Sequence, residues 1–77
     1  MADNWHWTHQ FEEAMQYIRE ESLSVHTKPT HRAFRELGEY ACTLARRDHS
    51  VKPILEYGDT PAESIVSAYN EWRRLAL

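Results

Sequence analysis

The sequence predicts an all-α fold, a small three-helix bundle with a short additional helical turn between helices 2 and 3. Three observations predict it. Apolar residues recur at spacings of three and four in three separate segments. A capping-box pattern precedes the last of them. Only two glycines occur in 77 residues, too few for the tight turns of a sheet-rich chain.

The first predicted helix runs from Trp5 to about Ser22, with Trp7, Phe11, Met15 and Ile18 on one face and Ala14 beside them. Asp3 or Asn4 can accept from its first free backbone amides, and Glu12 and Glu13 lie in the half where the helix dipole favours negative charge. Ser24 to Lys28 mixes Val25 with polar residues and reads as a connection. Pro29 suits the first turn of a second helix, where its missing N–H would have no acceptor.

The second predicted helix spans about Thr30 to Arg47. Phe34, Leu37, Ala41 and Leu44 form its apolar stripe, and Arg32, Arg35 and Arg46 line the other side around Glu39, with Lys28 just upstream. Gly38 within it costs about 1 kcal/mol relative to alanine unless something approaches closely. Gly38, Ala41, Cys42 and Ala45 would admit such an approach by another helix or by a second copy of the chain, so a homodimer is one arrangement to consider. Arg46 and Arg47 oppose the negative end of this helix, and Asp48, His49 and Ser50 end it.

The run Val51 to Tyr57 is too short to assign by periodicity, and Gly58 after it suggests a cap on one short helical or 3₁₀ turn. Thr60, Pro61 and Glu63 then supply an N-cap hydroxyl, a proline at the first helical position and a glutamate at the third. The third helix follows nearly to Leu77, burying Ile65, Tyr69, Trp72 and Ala76 with Ala68 at the margin.

Residues 1–77 are expected to form a single helical domain, because a chain of this length buries only roughly 60% of its unfolded surface and cannot build a second core. A catalytic cleft between domains is thereby excluded. A hydrophobic fraction of 42% and a charged fraction of 27% are ordinary for a globular chain and argue against wholesale disorder. The lone Cys42 cannot form an internal disulfide and suits a reducing compartment. No run approaches the roughly 20 apolar residues of a membrane span. The N-terminus has neither a basic nor an apolar leader segment, so the expected location is cytoplasmic.

Residues that could carry chemistry are scattered. His6, His9 and Glu13, or His26 and His31, have spacings from which a zinc site could be drawn, but five histidines in 77 residues produce such pairs by chance. No metal ligands and no cofactor are assigned. Cys42 would need an adjacent base to act as a nucleophile. Glu12 with Glu13, and Glu20 with Glu21, diverge by about 100° on a helix and make no carboxylate dyad. There is no glycine-rich phosphate loop. The chain is accordingly expected not to be an enzyme.

Charge is polarised rather than uniformly basic. Residues 28–53 carry Lys28, Arg32, Arg35, Arg46, Arg47 and Lys52 against Glu36, Glu39 and Asp48, whereas both flanking segments are acidic and the whole chain has a net charge of -3. The turn and helix from Gly58 onward have the layout of a helix-turn-helix reading helix, but Asp59 and Glu63 put the wrong sign at its reading end. Three tryptophans enrich the chain in residues that dominate protein interfaces, and Trp5 points away from the first apolar stripe.

These observations lead to the expectation of a small non-enzymatic protein-binding module: an inhibitor, adaptor or accessory subunit, of a size common among phage and mobile-element proteins. It would dock a charged and aromatic helical face, comprising Trp5, Lys28, Arg32, Arg35 and Arg46, onto a larger protein with an acidic surface. The alternative is a nucleic-acid-binding regulator that uses the basic face of the second helix. No membrane partner is expected.

Overall fold

A computed structural model describes the backbone of residues 2–76 and the side chains of residues 9–75. The chain folds as α1 (Ala2–Glu20), β1 (Leu23–Pro29), a 3₁₀ helix (Arg32–Leu37), β2 (Tyr40–Arg46), β3 (Ile54–Gly58) and α2 (Pro61–Ala76). The strands form one antiparallel sheet in the order β1-β2-β3, and the two helices flank it. This overturns the expected all-α fold: the molecule is a mixed α/β domain and not a helical bundle.

The second predicted helix does not exist. Its first part is the 3₁₀ helix and its second part is β2, the central strand. The apparent stripe is a coincidence of spacing across two kinds of structure. Phe34 and Leu37 sit on the 3₁₀ helix and are 52% and 55% exposed. Ala41 and Leu44 are three apart in a strand, so they point to opposite faces of the sheet. Tyr40, Cys42 and Thr43 are residue types that fit a pleated, half-buried surface.

Ser24 to Lys28, expected as a connection, lies within β1, in which buried or half-buried Leu23, Val25 and Thr27 alternate with exposed Ser24, His26 and Lys28. Pro29 ends this edge strand, where a missing N–H interrupts no inner ladder. The expected short helical turn over Val51 to Tyr57 is mostly β3, with Ile54 and Tyr57 among its five residues. Asp48, His49 and Ser50 turn the chain between β2 and β3: His49 adopts φ 60°, its N–H donates to the Arg46 carbonyl, and the Ser50 N–H donates to Asp48 Oδ1 at 3.0 Å.

Both terminal helices form where expected. In α1, Ala14 and Ile18 are buried and Phe11 and Met15 are half-buried, while Asp3 and Asn4 fall inside the helix rather than at its cap. At the start of α2, Thr60 Oγ1 accepts from the Glu63 N–H at 3.1 Å and Glu63 Oε2 accepts from the Asp59 N–H at 3.1 Å. The reciprocal cap is thus made with the residue before the N-cap. Ile65, Tyr69 and Trp72 are buried, and Ala68 is fully buried rather than marginal. Ala76 lies outside the described side chains.

The core lies between the sheet and the helices. Leu23, Cys42 and Leu44 from the strands meet Ala14 and Ile18 of α1 and Ile65, Ala68, Tyr69 and Trp72 of α2. Each large apolar side chain buried there contributes about 1.5–3 kcal/mol. The helices are tied together at Tyr69, whose hydroxyl donates to Glu13 Oε2 at 2.7 Å, accepts from Arg73 Nη1 at 3.2 Å, and whose ring meets Tyr17 edge-on. The opposite sheet face carries Ser24, His26 and Lys28, then Ala41, Thr43 and Ala45, then Leu55 and Tyr57, and no element covers it among the described residues.

Two glycines join the sheet to the connection between β1 and β2. Gly38 has φ 150°, and a Cβ there would stand 2.8 Å from the Gly58 nitrogen. A Cβ at Gly58 would lie 2.4 Å from the Ser64 nitrogen, inside the first turn of α2. The close approach at Gly38 is real, but its partner is Gly58 and not a second helix.

Candidate functional surface

The cations singled out in the sequence fall at two ends of the sheet. Antiparallel pairing sets Pro29 against Tyr40 at one end and Leu23 against Arg46 at the other. Lys28, Arg32 and Arg35 belong to the first end and Arg46 to the second, roughly 20 Å away along β2. The expected continuous basic row is therefore split. Trp5 lies outside the described side chains.

At the first end, residues 30–39 form a projecting connection closed at its base by the Thr30 N–H donating to the Glu39 carbonyl at 2.9 Å. His31 starts the 3₁₀ helix by accepting the Ala33 N–H on Nδ1 at 3.1 Å, and its ring lies 6.3 Å from that of Phe34. The Gly38 N–H closes the last turn on the Arg35 carbonyl. Side chains three apart eclipse on a 3₁₀ helix, so Arg32 and Arg35 form one ridge and Phe34 and Leu37 another. No residue of this helix is buried.

Electrostatics also separates the two ends. The ion pairs among the described residues use Arg46 with Glu21 at 3.4 Å, Arg73 with Glu13 at 3.8 Å, and Arg74 with Glu71. Lys28, Arg32 and Arg35 take part in none. The tip thus combines unpaired cations with two exposed large apolar side chains. Phe34 and Leu37 went unnoticed as surface residues because they matched a helical stripe. Only the strand assignment of the residues after them reveals their exposure.

At the second end a groove of about 620 Å³ is lined by Arg46, Val51, Lys52, Pro53, Ile54, Trp72 and Leu75. The Arg46 guanidinium stands 5.8 Å from the Trp72 ring centre, a cation–π arrangement. Trp72 is buried, and its indole Nε1–H has no acceptor. Apart from Arg46, sequence reasoning missed this site, because it depends on the β2–β3 connection folding back beside α2.

Cys42 is fully buried on the helix-facing side of β2, and desolvation pushes its thiol up to about 11. A thiol so placed is chiefly protonated near neutrality, the reverse of an activated nucleophile. Among the described residues no three histidine, cysteine or carboxylate side chains converge as metal ligands. No helix among them is long and apolar enough to cross a membrane.

Comparison with known proteins returns no matching family model, no matching curated protein and no matching solved structure.

Proposed function

We propose that this chain is a non-enzymatic protein-binding module whose 3₁₀ tip docks onto an acidic, partly apolar surface of a larger cytoplasmic protein, as an inhibitor, adaptor or accessory subunit. The observation that supports this most is the tip itself: Arg32, Arg35 and Lys28 without acidic partners, beside Phe34 and Leu37 exposed by more than half. A folded domain gains nothing in stability from leaving two large apolar side chains in water. Aromatic and arginine side chains are also the types that anchor interfaces. The unpaired cations favour an acidic counterpart, which they would steer and orient. The face concerned is a short connection between strands, not the long helix expected from the sequence.

The experiment is cross-linked capture from a lysate of the encoding organism, comparing the intact chain with Arg32→Glu/Arg35→Glu and with Phe34→Asp. The proposal expects one stoichiometric protein, retained by the intact chain and lost from both variants. Recovery that ignores the substitutions, or no specific protein at all, overturns it. Nucleic acid is the second reading, since the same unpaired cations could meet phosphate. It requires instead that the chain retard a duplex or single-stranded oligonucleotide at ~50 mM salt, with affinity falling steeply as salt rises.

A further inference from the structure

The groove at the other end of the sheet has a composition that specifies its ligand. Among the described residues its lining holds two cationic side chains, Arg46 and Lys52, the ring of Trp72, and no side chain that accepts a hydrogen bond. The rest, Val51, Pro53, Ile54 and Leu75, is apolar, with Val51 and Leu75 about half exposed at the rim. A volume of about 620 Å³ lies within the range of small-molecule sites.

Two further observations point the same way. The buried Trp72 ring lines the groove and adds aromatic surface to its apolar half. Arg46 is only partly committed: one of its nitrogens reaches Glu21 at 3.4 Å, on a half-exposed carboxylate, which leaves other guanidinium N–H groups free. The stacking of Arg46 on Trp72 holds that cation at the groove's wall.

We propose that this groove is a binding site for an apolar carboxylate, a small organic acid with a hydrocarbon body. The hydrocarbon lies against Val51, Ile54, Pro53 and Leu75. The carboxylate takes the free donors of Arg46 together with Lys52. An alcohol of the same length satisfies only the apolar half of the site, and an amine meets two like charges. The site is remote from the tip, so it stands or falls independently of the docking function proposed above.

The test is titration of the 77-residue chain with octanoate, octanol and octylamine, following the assigned Trp72 indole N–H resonance. The expected result is a saturable octanoate shift, with octanol binding at least about tenfold more weakly and octylamine not binding. Arg46→Gln should weaken octanoate about tenfold and Lys52→Gln, at an exposed position, about threefold. Leu75→Asp, a surface substitution that leaves the core intact, should abolish the shift and guards against misreading an unfolded Arg46 variant. Octanol binding as tightly as octanoate, an indole unmoved up to ~10 mM octanoate, or a response indifferent to all three substitutions overturns the proposal.

Discussion

Individual buried groups carry distinct thermodynamic signatures. Thr30 is buried at the base of the tip with its hydroxyl unpartnered, while its backbone N–H holds Glu39. Thr30→Val keeps the shape and removes the stranded hydroxyl, so stability should be unchanged or rise by about 1 kcal/mol in urea denaturation. Cys42 makes a pH prediction. Its folded pKa is raised from 9.0 to about 11 by burial, so the stabilisation from its neutral thiol is complete below pH 9 and lost as pH climbs through 11. Tyr69, also raised, by burial and then by Glu13, adds to the loss above its ordinary value of 10.0. The slope of denaturation midpoints over this alkaline range should flatten in Cys42→Ala, even though that variant starts from a lower stability.

Elements were legible where their signals were local and illegible where they depended on neighbours. The start of α2 was readable from Thr60, Pro61 and Glu63 because a cap is complete within four residues. The interior of α1 was readable because one-sided burial of Ala14 and Ile18 leaves a helical period. β2 leaves no such mark. As the central strand it is covered on its helix side by the core, while Ala41 on the open side is shielded between its cross-strand neighbours Lys28 and Tyr57. Its sequence therefore shows no alternation. β1 does alternate, but Leu23, Val25 and Thr27 are interleaved with so many polar residues that the stretch passes for a loop. Of the tip, its cations were found and its apolar ridge was not. Of the groove, only Arg46 was found. The two glycines read as interruptions and are instead the points where elements touch. Gly58→Ala should destabilise by about 2 kcal/mol or more in thermal or urea denaturation, because the added methyl meets backbone of α2 rather than a side chain that can swing away.

For the whole molecule, the sheet-and-helix architecture and a three-helix bundle make opposite claims about four residues. Phe34, Leu37, Ala41 and Leu44 would all be core in a bundle. Here only the strand pair is buried, and only Leu44 joins the main core. Leu44→Ala should cost about 2–5 kcal/mol, whereas Phe34→Ala and Leu37→Ala should stay within about 0.5 kcal/mol, measured by chemical denaturation of each variant. Comparable losses at all three positions would contradict the fold. The glycine contact has a consequence at this scale too. The tip rests on Gly58, and Gly58 rests on the first turn of α2, with no flexible side chain at either junction to absorb a displacement. Engagement of Phe34 or Leu37 is therefore expected to bear, through these close backbone approaches, on the amides of Ser64 and its neighbours. Those amides form a built-in gauge of occupancy: their hydrogen exchange should slow when the tip is engaged, some distance from any surface the partner touches.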